Sequence, residues 1–345
     1  MKNIKRNSII VLIITVGILY YILKDNYKEI ISTVSTANPW WLLVAMLFFF
    51  LYYLFDQMSL FTMTKQYCKD IEFKYILYLG VITKFFNGVT PLASGGQPMQ
   101  VYELHKKGVS VSNGTNIVIQ NYIVFQIAFV FLGVVAFIIN HALGLFQSVP
   151  LLRELTIVGF VINGLLLLIL FMVSFSKNFN RSIVRFFINL IAKFNKKLNK
   201  EKQIEKWDKY CDDYYDNAKV LLNKKKEFIS CIIYQTLSLL AYFAIPYYVA
   251  YAIGIGSSLN MINTLVAGEY IYIMGCYVPI PGATGGMELG FMGFFGNFIS
   301  GPILSSLMVL WRFLTYYLPT IIGAIVFNIG PGKEVKEAMI NGEIK

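Results

Sequence analysis

Ionisable side chains are rare in the apolar stretches of this sequence, and those that occur there are the first candidates for chemistry. They are Asp56, Lys84, Glu103, Glu269, Glu288 and Arg312. A charge at the centre of a membrane helix costs roughly 2.5–3.5 kcal/mol on insertion scales, so each is a candidate for binding a charged group. Asp56 and Lys84 lie nearer an interface, and we expect their charges to reach it. The structural alternative is an ion pair between helices, for example Arg312 with Glu288.

Two motifs rich in glycine and proline interrupt apolar stretches and supply the other candidates. The first is Pro91-Leu-Ala-Ser-Gly-Gly96, and the second is Pro281-Gly-Ala-Thr-Gly-Gly286. A helix that starts at such a break presents N–H groups and partial positive charge to an anion, with Ser94 as a cap and Pro98 or Glu288 in the first turn. The predicted binding residues are Ser94, Gly95, Gly96, Gln97, Gln100, Glu103, Glu269, Thr284, Gly285, Gly286, Glu288 and Arg312, and the predicted breaks are Pro91, Pro98, Pro279 and Pro281.

The composition places these residues in a membrane protein. Of the 345 residues, 57% are hydrophobic and 14% are charged, whereas soluble domains carry about 25% charged residues. The formal net charge is +11. In a membrane protein this excess indicates attraction to anionic inner-leaflet lipids, and we expect no nucleic acid as a partner. The predicted fold class is an all-α polytopic membrane protein.

Apolar runs predict about six full spans and two re-entrant hairpins of broken helices. Glycine and proline interrupt the hairpins, residues 75–103 and 262–299, and broken backbone at membrane depth must be buried in protein or face a wet cavity. No small-residue cleavage site follows the first apolar run, so we expect that helix to stay. The predicted spans are residues 8–23, 40–63, 116–140, 155–175, 229–254 and 303–328.

The distribution of Lys and Arg predicts the orientation. Most of them fall in segments that share one side of this topology, which places both termini in the cytoplasm. The insert 176–227 is the most basic of these segments. Within it, residues 178–200 form an amphipathic pattern that is typical of a helix on the inner leaflet. Its predicted apolar face consists of Ile183, Phe187, Leu190, Phe194 and Leu198.

The second motif repeats the first 190 positions later, and the flanking spans repeat in register. The predicted topology places the first hairpin on the cytoplasmic side and the second on the outer side. The halves, about 8–140 and 155–328, are therefore predicted to be inverted copies within a domain of residues 1–330. Paired interrupted segments in inverted halves indicate a transport site near the membrane midplane.

The sequence contains no motif for nucleotide hydrolysis, metal binding or nucleophilic catalysis. The histidines His105 and His141 are isolated, and the four cysteines form no CxxC pair. We interpret the cysteines as small buried hydrophobic residues. The sequence thus predicts no catalytic residue, no metal and no cofactor.

Two longer patterns contain these motifs: P-x-A-S-G-G-x-P-x-Q-x-x-E from Pro91 to Glu103, and P-x-P-G-x-x-G-G-x-E from Pro279 to Glu288. Together with the helix order, they resemble the flippase-like transmembrane domain of the lysylphosphatidylglycerol synthase (multiple peptide resistance factor) family over residues 5–330. Members of that family attach a cytoplasmic domain that transfers lysine from its tRNA to phosphatidylglycerol, which gives resistance to cationic antimicrobial peptides. We expect no such domain here, because only the tail 331–345 follows.

The resemblance implies that the chain moves lysyl-phosphatidylglycerol, or a related aminoacylated or anionic phospholipid, between leaflets. In this hypothesis the helix starts and Arg312 hold the phosphate, while Glu103, Glu269 and Glu288 attract a cationic headgroup. Two alternatives stay open: a membrane component of phosphatidylglycerol lysyltransferase that acts with a separate aminoacyl-lipid synthase, and a secondary transporter of small solutes. A homodimer also stays open.

Overall fold

The computed structural model describes residues 27–194 and 199–329, and every regular element in these ranges is helical. The predicted all-α class is therefore confirmed. The helices are α1 (Tyr27–Ser35), α2 (Pro39–Thr64), α3 (Phe73–Val89), α4 (Gly96–Lys106), α5 (Val111–Leu143), α6 (Pro150–Phe175), α7 (Lys177–Phe194), α8 (Lys200–Asn223), α9 (Lys225–Ala252), α10 (Met261–Gly275), α11 (Gly286–Phe295), α12 (Pro302–Arg312) and α13 (Leu318–Ile329).

Within the described ranges, five helical segments are long and apolar enough to cross a membrane. They are α2, α5, α6, α9 and the run Pro302–Ile329, in which a π turn at Phe313–Tyr317 joins α12 to α13. Each coincides with a predicted span, which confirms a multi-pass membrane protein. The remaining predicted span, residues 8–23, lies outside the described ranges.

The ends of the long helices follow from local capping. The Asn38 side chain accepts a hydrogen bond of 2.9 Å from the Trp40 amide and starts α2. The Ser110 hydroxyl accepts one of 3.2 Å from the Asn113 amide and starts α5. Gly144, with φ of 61°, ends α5 in the left-handed conformation that glycine adopts without strain. These caps make α5 longer at both ends than the predicted span 116–140.

The order long helix, helix, break, helix, long helix occurs twice, as the repeated motif predicts. It runs through α2–α5 and again through α9–α13, and α2 packs along α9. The two breaks, the 3₁₀ turns Pro91–Ala93 and Pro281–Ala283, contact each other. The chain therefore brings its two copies of the motif together, whereas the re-entry of each hairpin on one side of the membrane stays a prediction.

The two breaks share the same backbone shape. Leu92 and Ala93 have φ of 53° and 50°, and their counterparts Gly282 and Ala283 have φ of 66° and 51°. Left-handed conformations cost non-glycine residues roughly 1–3 kcal/mol, so they persist only where the surroundings impose them. The repeated sequence thus encodes a repeated and strained turn.

Two clusters of buried side chains flank these breaks. The larger surrounds Phe129, Phe146 and Phe291 and includes residues from α2, α5 and α9–α12. The smaller surrounds Leu60 and Leu104 and draws on α2–α5 and α9. The helices α2, α5 and α9 contribute side chains to both clusters. They therefore connect the two clusters, and they pack against helices that flank the breaks.

Helices α7 and α8 belong to the basic insert and pack against each other. Asp212 accepts hydrogen bonds of 2.7 Å from Arg181 at both carboxylate oxygens, and the Lys177 ammonium lies 2.9 Å from it. On the other side of α7, Phe187 and Leu190 of the predicted apolar face are 54% and 41% exposed. Ile183 is half-buried, the side chain of Phe194 is not described, and Leu198 lies outside the described ranges.

Candidate functional site

A polar cavity of about 420 Å³ lies where the two breaks meet. Leu92 and Ala93 of the first break and Gly282 and Ala283 of the second line it. The remaining wall comes from both halves and is unusually polar for apolar helices. It includes the amides Asn87, Gln97, Gln100, Asn121, Gln126, Asn163 and Gln235, the phenols Tyr52, Tyr122, Tyr242, Tyr272, Tyr277 and Tyr316, and the charged residues Asp56, Lys84 and Arg312.

Arg312 forms one charged wall of the cavity, and Glu288 and the Gly282 carbonyl fix its side chain. Its Nε lies 2.6 Å from Glu288 Oε1, and its Nη2 donates a hydrogen bond of 2.9 Å to the Gly282 carbonyl. The guanidinium carbon also lies 4.6 Å from the centre of the Tyr316 ring. Nη1 has no acceptor in the described ranges. Glu288 does not line the cavity, so the ion pair presents its cationic partner to the interior.

Lys84 forms the second charged wall, and whether its charge reaches a membrane interface stays a prediction. Its ammonium donates a hydrogen bond to the Tyr52 hydroxyl and lies 3.6 Å from Asp56 Oδ2. It also lies 4.3 Å from the centre of the Tyr52 ring. Tyr52 and Asp56 are four residues apart on α2 and so face the same way. They hold Lys84 in the cavity wall.

The start of α4 also differs from the sequence expectation. The Ser94 hydroxyl donates to the Pro91 carbonyl at 2.9 Å and does not cap the helix. The Gly95 amide donates to the Thr90 hydroxyl and the Gly96 amide to Asn87 Oδ1, both at 2.9 Å. These side chains occupy two N–H groups that we expected to be available to an anion.

The rest of α4 agrees better with prediction. Its first turn contains Pro98, as expected, and Gln97 and Gln100 line the cavity. Glu103 is buried away from it: its Oε2 accepts a hydrogen bond of 2.7 Å from the Tyr75 hydroxyl, and its Oε1 lies 3.5 Å from the Lys106 ammonium.

In the second break, nearby side chains bind the polar backbone groups of the turn. The Thr284 hydroxyl donates to the Pro281 carbonyl at 2.9 Å, which repeats the Ser94 contact in the first break. Glu288 lies in the first turn of α11, as predicted, and its Oε2 accepts a hydrogen bond of 2.6 Å from the Gly285 amide. Neither Thr284 nor the neighbouring glycines Gly285 and Gly286 line the cavity.

Glu269 is the isolated member of the predicted set. It is 1% exposed, and neither carboxylate oxygen has a hydrogen-bond partner. A Cβ atom added at Gly133 would lie 3.1 Å from its Oε1 and 2.7 Å from the Phe160 ring, so α5 approaches closely there. Glu269 does not line the cavity.

Of the twelve predicted binding residues, the cavity thus brings together Gln97, Gln100 and Arg312. The sequence prediction missed the amides and tyrosines of the long helices. A usable signal was present: Asn121, Gln126, Asn163 and Gln235 interrupt otherwise apolar spans. A buried amide needs hydrogen-bond partners, so its presence in a span indicates a polar interior. Within the described ranges, no cluster of His, Cys, Asp and Glu could hold a metal ion.

Five apolar spans around a chamber with many polar side chains, with a broken helix from each half in its wall, define a polytopic membrane protein. Residues 8–323 match the family model described as the lysylphosphatidylglycerol synthase TM region. Because this match covers most of the chain, the protein belongs to that family.

One relative shares part of the sequence. The uncharacterized protein MG306 of Mycoplasma genitalium is 29% identical over 111 residues. The matched segment covers 32% of this chain and 27% of that protein. The chain therefore spans about a quarter of the length of this relative.

Proposed function

We propose that the protein translocates the headgroup of a phospholipid, either phosphatidylglycerol or its lysyl derivative, between the leaflets of the bacterial cytoplasmic membrane. The observation that carries this proposal is the polar cavity between the two breaks, with Arg312 and Lys84 in its wall. Membership of a family linked to lysylphosphatidylglycerol supports the lipid class.

The shape of the cavity suits a lipid because it reaches the outer surface of the helix bundle. Ile162 of α6 and Leu92 of the first break line the cavity and are also 45% and 59% exposed. A headgroup inside could therefore connect to acyl chains that stay in the bilayer. The polar wall replaces water around the headgroup, which lowers the barrier that hydrocarbon imposes on a charged group.

Two further features complete the proposal. Both termini face the cytoplasm, and α7 rests on the anionic inner leaflet through Phe187 and Leu190, as the basic insert and its exposed apolar face favour. The lipid moves down its own gradient or is driven by an ion gradient or the membrane potential.

A leaflet-accessibility assay tests the proposal. Purified protein is placed in liposomes that contain phosphatidylglycerol or lysyl-phosphatidylglycerol with a fluorophore on one acyl chain. A membrane-impermeant reductant then quenches the outer leaflet. Protein-free vesicles should lose about half of the signal, because a charged headgroup does not cross hydrocarbon unaided. Vesicles with the protein should lose nearly all of it, and loss of only half with both lipids would contradict translocation.

Substitutions in the cavity distinguish lipid translocation from leakage of the reductant into the vesicles. The double variant Arg312→Gln with Glu288→Gln removes both charges together, so that neither stays buried alone. We expect it to slow the second quenching phase by about tenfold or more. Lys74→Gln is the matched control because Lys74 lies outside the cavity and its side chain is 82% exposed. Equal rates in all three proteins would contradict a role for the cavity.

A further inference from the structure

The charges in the cavity wall are unequally available to a ligand. Arg312 leaves Nη1 free to donate, and its partner Glu288 stands outside the wall. The Lys84 ammonium faces the same space from the other half. A negatively charged group in the cavity therefore meets two cations directly.

The one carboxylate in the described part of the wall is Asp56, and it already has partners. Its Oδ1 accepts a hydrogen bond of 3.2 Å from Gln235, and its Oδ2 accepts one of 2.9 Å from Gln57. The Lys84 ammonium lies 3.6 Å from the same Oδ2. An ammonium ligand would have to displace these groups or share Asp56 with a like charge, which is unfavourable.

The other carboxylates that could receive an ammonium are outside the cavity. Glu103 pairs with Tyr75 and Lys106, and Glu288 pairs with Arg312 and the Gly285 amide. Glu269 is buried beside Gly133 and Phe160 without access to the wall.

We propose that the cavity selects an anionic phospholipid with an uncharged headgroup, of the phosphatidylglycerol type, over its cationic aminoacylated derivative. Arg312 and Lys84 hold the phosphate. This proposal rests on the proposed function for its biological meaning, but it concerns binding and can be tested without translocation.

The test is a competition in detergent. Delipidated protein is mixed with equal amounts of phosphatidylglycerol, lysyl-phosphatidylglycerol and phosphatidylcholine of the same acyl chains, and native mass spectrometry counts the bound lipids. We expect phosphatidylglycerol to be retained about tenfold over the lysyl derivative, with phosphatidylcholine also weaker. Equal or preferred binding of the lysyl derivative, or no bound phosphatidylglycerol, would overturn the proposal.

Two charge-neutralising variants of the cavity wall and one control variant outside it sharpen the result. Lys84→Gln should reduce the preference several-fold, whereas Lys74→Gln should leave it unchanged. Asp56→Asn should keep or increase the preference because it frees the Lys84 ammonium. If Asp56→Asn instead removed binding of the lysyl derivative, Asp56 would be an ammonium site and the proposal would be wrong. Selective binding by a protein that moves no lipid would reject the proposed function and leave this proposal standing.

Discussion

At the scale of single residues, two buried glutamates occupy opposite environments. Glu288 is 3% exposed and bonds Arg312 and the Gly285 amide, whereas Glu269 is 1% exposed and bonds nothing in the described ranges. Breaking a buried ion pair leaves an uncompensated charge, which costs about 3–5 kcal/mol. Removing a carboxyl that has no partner loses no such interaction.

We therefore predict different outcomes for the same substitution at the two positions. Glu288→Gln should lower the Tm of the purified protein in detergent clearly, because Arg312 is left without its counter-ion. Glu269→Gln should leave the Tm unchanged or raise it. Differential scanning fluorimetry gives both values. A larger loss for Glu269→Gln than for Glu288→Gln would show that Glu269 has an essential partner.

The sequence shows which charged residues lie in apolar stretches. It predicts only some of the ion pairs that they form. The pair Arg312–Glu288 was foreseen as an alternative because both residues follow the second break. The pair Lys84–Asp56 was not, since it depends on how α2 is rotated against α3. Distances between helices that are far apart in the chain are set by packing, and no local pattern reports them.

At the scale of elements, the repeated motif predicted a repeated turn, and both turns show the same left-handed residues and the same hydroxyl-to-proline contact. The helix starts beyond the turns could not be predicted as well. Asn87 and Thr90 cap α4, while Glu288 caps α11. The caps of α4 come from the last turn of α3 and from the residue that follows it, so they depend on how the hairpin folds back.

The contact between α7 and α8 should weaken at low pH. Hydrogen bonds from Lys177 and then Arg181 hold the pKa of Asp212 below its ordinary value of 3.8. A lowered carboxyl pKa stabilises the folded arrangement at pH above 3.8, and this contribution is lost as the pH falls through the lowered pKa. The two helices should therefore separate in strong acid and stay together at neutral pH.

Spin labels can measure this separation. Labels at Ser182 and Glu205, introduced as cysteines in a background without native thiols, report the distance between α7 and α8. We expect a narrow distribution at pH 7 that broadens below pH 3.8, and Asp212→Asn should broaden it already at pH 7. An unchanged distribution in acid would show that the apolar contacts alone hold the pair.

At the scale of the whole molecule, the five spans in the described ranges, their order and the repeated helix order could be predicted from apolar length and from the motif spacing. The cavity did not, because it forms only where the two breaks contact each other across the structure. Its wall draws on α2–α6 and α9–α11 and on the run Pro302–Ile329. Both halves contribute to this chamber, and residues of both breaks lie in its wall.

The most direct test of the central claim, that lipid headgroups pass through this cavity, uses Cys276. This residue lines the cavity and is half-buried, and its thiol is free. In a variant with Cys68, Cys211 and Cys231 replaced by serine or alanine, a bulky maleimide should fill the cavity. We predict that complete modification, verified by mass, stops lipid movement in the quenching assay, while the variant that also carries Cys276→Ala is unaffected by the reagent. Undiminished movement after complete modification would contradict the claim.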